Sequence, residues 1–153
     1  MITIRPFLPS DVASAVEMEA SNQPQPWTEG LFNDELAAEN RNYLAAHDDG
    51  LVGFGGVMIL DDEAHVTNLL VSSDHRRQGI GYQLLRTLIE TSIGQGVRHL
   101  TLEVRSRNLL ARQMYARFEM APVGVRHGYY GDDDALIMWV HDIDRPTYLE
   151  GLR

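Results

Sequence analysis

The apolar extended run Val66-Thr67-Asn68-Leu69-Leu70-Val71 is followed by Ile80, Leu84, Leu85, Leu88, Ile89 and Ile93, which recur at helical spacing. Between the two lies Arg76-Arg77-Gln78-Gly79-Ile80-Gly81. A buried strand that leads through a glycine-rich loop into a long amphipathic helix, followed by a strand, a helix and a strand again, implies at least one parallel crossover, and so a mixed α/β fold. The loop also has a chemical bias. A helix start leaves unpaired N–H groups at the positive end of the helix dipole, and glycines at 79 and 81 remove the side chains that would keep an anion away. Neither rival phosphate loop fits: no Gly-Lys-Ser/Thr ending is present, and Leu84 stands where a dinucleotide fingerprint needs its third glycine.

The rest of the chain reads as short elements around that unit. Ile2–Ile4 alternates as a strand, and Ser10-Asp11 offers a cap to a first helix through Val12, Ala15 and Val16. A second helix starts at Thr28, with Leu31, Phe32 and Leu36 on one face. Tyr43–His47 and Leu51–Leu60 are strands joined by Asp48-Asp49-Gly50, and Asp61-Asp62 turns into the strand that ends at Val71. Gly94 and Gly96 stop the long helix. His99–Val104 alternates as a strand, Leu110, Met114 and Phe118 mark a further helix, and Val123–Arg126 with Ala135–Val140 form a hairpin around Gly131–Asp134. The fold class expected is a mixed α/β sandwich with a mostly antiparallel sheet flanked by helices. A single domain spans 1–140, and a peripheral tail runs from 141 to 153.

The chain has 153 residues, 44% of them hydrophobic, which suffices for one core. It has no cysteine, which excludes disulfides, thiolate zinc sites and a cysteine nucleophile. The six histidines, at 47, 65, 75, 99, 127 and 141, show no metal-ligand spacing. No run reaches the length of a membrane span and no signal peptide precedes the first strand, so a soluble cytoplasmic protein is expected. A net charge of −9 argues against direct nucleic-acid binding and is compatible with a basic partner. Oligomeric state is not legible.

If the crossover is right-handed, the strand ends at 71 and 104 are neighbours. Glu103 then stands near the loop, on the face opposite Leu100, Leu102 and Val104. A carboxylate in such a strand either faces water, pairs with an arginine such as Arg105, or does chemistry. Asn108 is either a helix cap or a ligand contact. Tyr115, two turns further on, is either a core aromatic or a working hydroxyl.

The Arg-x-x-Gly-x-Gly loop resembles the pyrophosphate loop of the GNAT acetyl-CoA-dependent N-acetyltransferases. Within that superfamily the chain is similar to the RimI-type ribosomal-protein-alanine N-acetyltransferases. The similar segments are Pro26-Trp27-Thr28 with Phe32 and Glu35-Leu36, Asp62-Glu63-Ala64, Leu102-Glu103-Val104-Arg105 with Asn108 and Tyr115, and Arg126 with Tyr129-Tyr130 before Asp134-Ala135. They span roughly residues 26–140. The chain departs from the family at Phe118-Glu119-Met120, where Leu-Gly-Phe is usual, and at Leu70, where a small residue is usual.

The resemblance implies a GNAT fold and acetyl-CoA as co-substrate, with no metal. Glu103 would be the general base and Tyr115 the general acid. Backbone groups of Leu69, Leu70 and Val71 would pair with the pantetheine arm. Arg76, Arg77, Gln78, Gly79, Ile80, Gly81 and Tyr82 would hold the diphosphate, and Asn108 would bond the arm. The implied acceptor is the N-terminal alanine of a basic small-subunit ribosomal protein. A small amine or a lysine side chain is the alternative acceptor, and a non-catalytic acyl-CoA sensor the alternative class. Asp132-Asp133-Asp134 either steers a basic peptide or is a solvated turn. Trp27 and Tyr129 are either groove walls or core and rim aromatics.

Overall fold

The computed structural model describes residues 1–152. The strands are β1 (Thr3–Pro6), β2 (Arg41–His47), β3 (Leu51–Leu60), β4 (Glu63–Val71), β5 (His99–Arg105), β6 (Ala121–Arg126) and β7 (Ala135–His141). The helices are α1 (Val12–Asn22), α2 (Glu29–Ala37), α3 (Ile80–Gly94), α4 (Leu109–Arg117) and α5 (Pro146–Gly151), with short 3-10 turns at Pro9–Asp11 and Ser73–His75. The strands form a seven-stranded sheet in the order β1-β2-β3-β4-β5-β7-β6, mostly antiparallel, as expected of the mixed α/β class. The chain divides into two compact units, Met1–Met58 with Thr67–Ile89, and Ile59–Val66 with the chain from Glu90 onward.

In the first unit an aromatic cluster forms the core. Phe32 stacks on Phe7 (5.9 Å) and meets Phe54 edge-on (5.5 Å), with Ala15, Ala45 and Leu70 packed among them. A second cluster joins Ile80 and Leu84 of α3 to Ala46 and Val52. Gly56 lets Tyr43 lie flat on β3, since a Cβ there would sit 2.1 Å from the tyrosine ring. Thr28 caps α2 as expected, its hydroxyl accepting the Leu31 N–H at 3.2 Å. Leu31 itself is exposed, and Phe32 carries the buried face. Asp11 does not cap α1 with its side chain. Its carboxylate instead receives both guanidinium arms of Arg5 (2.9 and 3.0 Å) and the Leu8 N–H (2.8 Å), because a buried acid is better compensated by a cation than by one N–H.

In the second unit β4 and β5 pair in parallel at Glu63↔His99, Ala64↔Leu100 and His65↔Thr101. This register joins the beginnings of the two strands, whereas the sequence pointed to their ends at 71 and 104. β5 buries Leu100, Leu102 and Val104 as its alternation requires. The helix marked by Leu110, Met114 and Phe118 is present as α4, but its phase differs: Leu110 is 65% exposed, and the buried residues are Tyr115 and, just past the helix end, Phe118. The tail from His141 is not peripheral. Ile143 and Tyr148 are fully buried, and the Tyr148 hydroxyl donates to the Phe118 carbonyl at 2.8 Å.

Candidate active site

Two sets of predicted residues stand in different units. In the first unit, Leu70 is buried in the core while Leu69 and Val71 are half-buried, as their alternation on β4 requires. The loop after β4 bends through left-handed Arg77 (φ 65) and Gly79 (φ 78). Gly79 carries the strain that an L-residue would resist, and a Cβ there would meet nothing within 4 Å, so the space over it is open. The first turn of α3 closes with Gln83 N–H to the Gly79 carbonyl at 3.0 Å. Among the described residues, the N–H groups of Gly79, Ile80 and Gly81 have no hydrogen-bond partner. The side chain of Ile80 is buried, so this residue can offer a ligand only its backbone. Arg76, Arg77 and Gln78 are exposed, and Gly81 and Tyr82 half-buried. Arg76 anchors the loop, its Nη2 donating to Asn22 Oδ1 at 2.9 Å. A glycine cradle with free donors and arginines at its edge fits a diphosphate.

Behind that strand, Glu19 of α1 is a buried carboxylate. Its Oε1 accepts from Asn68 Nδ2 (3.0 Å) and the Trp27 N–H (3.4 Å), while Oε2 is buried without a partner. Burial raises its pKa against those two bonds. Trp27 is half-buried and packs edge-on to Phe32 at 5.2 Å, against the edge of the aromatic core.

In the second unit, Glu103 is only 14% exposed and does not pair with Arg105. Its Oε2 meets His65 Nε2 at 2.5 Å, and its Oε1 lies 3.7 Å from Arg126 Nη2 on β6. The sequence reading missed His65. The signal lay in strand parity: Ala64 and Val66 are buried, so His65 shares the polar face of Thr101 and Glu103 once the parallel register is known. Arg105 is occupied elsewhere. It donates to Asp132 Oδ1 at 2.9 Å and lies over the Tyr130 ring at 4.4 Å.

Tyr115 is buried, and among the described residues its hydroxyl has no hydrogen-bond partner. Burial, reinforced by Tyr130, pushes its pKa up, so it stays a protonated donor across the working range. Tyr130 is likewise held neutral, first by burial, then by Tyr129 and the charge of Glu103. Asn108 caps α4, its Oδ1 accepting the Ala111 N–H at 3.2 Å. The acid triplet is internally braced, with Asp132 exposed and Asp133 buried. Asp133 is buried and accepts from Ser106 Oγ (2.6 Å), Arg107 N–H (3.1 Å) and Asp134 N–H (2.8 Å). Asp134 accepts the Gly128 N–H at 2.8 Å. Tyr129 stays on the rim, half-exposed, with the Arg126 guanidinium 5.6 Å from its ring.

A strand–cradle–helix unit and a shielded carboxylate in a mixed sheet define a class, and the family model described as Acetyltransferase (GNAT) family matches residues 12–120. The chain belongs to the GNAT acetyltransferase family. It is 31% identical over 142 residues to the [ribosomal protein bS18]-alanine N-acetyltransferase of Escherichia coli K12, covering 90% of this chain and 96% of that one. A Bacillus subtilis (strain 168) protein that carries the same name provisionally is 41% identical over 135 residues, 85% of this chain and 89% of that one. The crystal structure of the Escherichia coli ribosomal-protein-S18-alanine N-acetyltransferase superposes with a TM-score of 0.85 at 31% identity, over 93% of this chain and 94% of that one. Among the described residues, no helix is long and apolar enough to cross a membrane, and no group of His, Asp or Glu could hold a metal ion.

Proposed function

We propose that this protein is a cytoplasmic N-α-acetyltransferase that uses acetyl-CoA to acetylate the N-terminal alanine of a small-subunit ribosomal protein by direct transfer. The observation that carries the reading is the Glu103 cluster. A shielded carboxylate is backed by His65 and Arg126, in a unit whose buried Tyr115 hydroxyl makes no hydrogen bond among the described residues.

Acetyl-CoA supplies the activated thioester. The loop from Arg76 to Tyr82 holds the diphosphate, with the N–H groups of Gly79, Ile80 and Gly81 as its open donors, and the backbone of Leu69, Leu70 and Val71 pairs with the arm. Asn108 keeps its amide nitrogen for the same arm while its oxygen caps α4. An α-amine has an ordinary pKa near 8 and is mostly ammonium at neutral pH. Glu103 takes that proton, directly or through a water, which is worth about 10²–10⁴-fold. Tyr115 gives its proton to the departing sulfur. A basic acceptor peptide suits a chain of net charge −9.

The test is acetylation of a peptide panel with varied first residues, read by mass spectrometry, alongside a peptide with a blocked N-terminus and internal lysines, and a small polyamine. Preference for an N-terminal alanine supports the reading. Transfer to lysine or polyamine alone overturns the acceptor class, and tight acetyl-CoA binding with no transfer to any acceptor leaves a sensor.

A further inference from the structure

At the end of α4 the chain passes through Glu119 in the left-handed region (φ 64), a position that glycine fills without strain. The segment after β7 holds this turn from outside. Arg145 Nη2 donates to Glu119 Oε1 at 2.7 Å, and its Nη1 donates to the carbonyls of His141 and Asp142 at 3.1 and 3.2 Å. One residue earlier, the Phe118 carbonyl accepts the Tyr148 hydroxyl at 2.8 Å, between two fully buried side chains. The Arg145 guanidinium lies 5.1 Å from the centre of the Tyr148 ring, so the two grips are tied together. Inside the turn, Phe118 N–H and Met120 N–H both donate to the Tyr115 carbonyl, at 2.9 and 3.2 Å. The backbone of Tyr115 is therefore part of the clamped turn. Among the described residues its hydroxyl has no hydrogen bond of its own, so the phenol takes its position from the packing of its buried ring and from that backbone.

We infer that Arg145 and Tyr148 are positioning residues for Tyr115. By gripping the Phe118–Glu119 turn they hold the phenol where it protonates the leaving sulfur. The inference rests on the acid role proposed for Tyr115, and it assigns work to a segment that sequence pattern leaves idle.

The experiment is a double-mutant cycle of Tyr148→Phe with Tyr115→Phe, measuring kcat, the KM for acetyl-CoA and Tm. Tyr148→Phe keeps the buried ring and removes one hydrogen bond. The expected result is a kcat about tenfold lower with an unchanged acetyl-CoA KM, since small misplacements of a reacting group are costly. The loss should shrink with a thioester whose thiol is more acidic, and should vanish in the Tyr115→Phe background. Arg145→Gln, at the exposed side of the clamp, should show the same pattern at about threefold; it carries the cycle should Tyr148→Phe not fold. An equal fractional loss in both backgrounds makes the contacts merely structural and overturns the inference, as does an unchanged kcat in both variants. Failure of the acid role is visible separately: Tyr115→Phe alone would then match the parent in kcat, and the positioning role would fall with it.

Discussion

Two polar clusters, one in each unit, contain the same ingredients and end differently. In the first unit, Glu35 accepts from Arg41 Nε (3.1 Å) and from the Tyr43 hydroxyl (2.7 Å), which also meets Thr67 Oγ1 at 2.8 Å. In the second, Glu103 meets His65 and Arg126, while further along the chain the Tyr115 hydroxyl makes no hydrogen bond among the described residues. Exposure does not distinguish the two carboxylates, at 16% and 14%. Nor does tyrosine acidity, since burial raises the pKa of both Tyr43 and Tyr115. What differs is closure. The first cluster saturates its hydroxyl and reads as a brace; in the second unit the Tyr115 donor is open among the described residues, which is what the proposed acid role requires.

Substitutions can break that distinction. The largest effect is expected from Glu103→Gln, which keeps size and hydrogen bonding but cannot take a proton. Turnover should fall about 100-fold with acetyl-CoA affinity nearly unchanged, and recover partly at higher pH where the amine is already neutral. A pH–rate profile identical to the parent's would remove the base role. Next is Tyr115→Phe, expected to lower turnover about tenfold or more at nearly constant Tm. Because burial holds its proton, the parent's activity should not decline through the ordinary tyrosine range near pH 10 from ionisation of this group.

Outside both clusters, Gly79→Val should weaken acetyl-CoA binding by about tenfold, since valine resists a positive φ and fills the open cradle. Unchanged affinity by calorimetry would sink the loop assignment. In the brace, Tyr43→Phe should keep turnover and cost about 1–3 kcal/mol of stability, read by denaturant unfolding, because Glu35 and Thr67 each lose a partner. A loss of turnover without a loss of stability would reverse the roles of the two clusters.

The smallest effect concerns pH. Burial alone would raise the Glu35 pKa, but the bonds from Arg41 and Tyr43 and the charge of Arg41 bring it below the ordinary value. The folded state therefore favours the ionised form. That stabilisation is complete above the unfolded-state pKa near 4.3 and is lost as pH falls through the lower, folded-state pKa. Glu35→Gln should accordingly be less stable than the parent at pH 7 by a few degrees of Tm, and the gap should close below about pH 4. A gap that persists at low pH would assign the cost to packing.

Sequence alone determined whatever repeats along the chain. Alternation defined the strands, helical spacing defined α3, and Gly79 marked its own turn, because each of these signals is local. Counting placed Glu103 in an apolar strand and Tyr115 two turns from Asn108 but left each with a plain structural alternative; their expected roles came from the resemblance to the GNAT N-acetyltransferases. Only the tertiary structure decided who meets whom. His65 joins Glu103 through a parallel register that local pattern cannot supply, and Arg105 leaves its expected neighbour for Asp132, 27 residues away. The exposed Leu110 misdirected the phase of α4, because a short helix offers too few apolar positions to outvote a misplaced one. Tyr148 stands in a segment with no periodicity at all, yet it is buried against the turn that ends α4. Its place comes from a single side chain filling a core and one hydrogen bond to Phe118, both of which exist only once β7 has delivered the chain there.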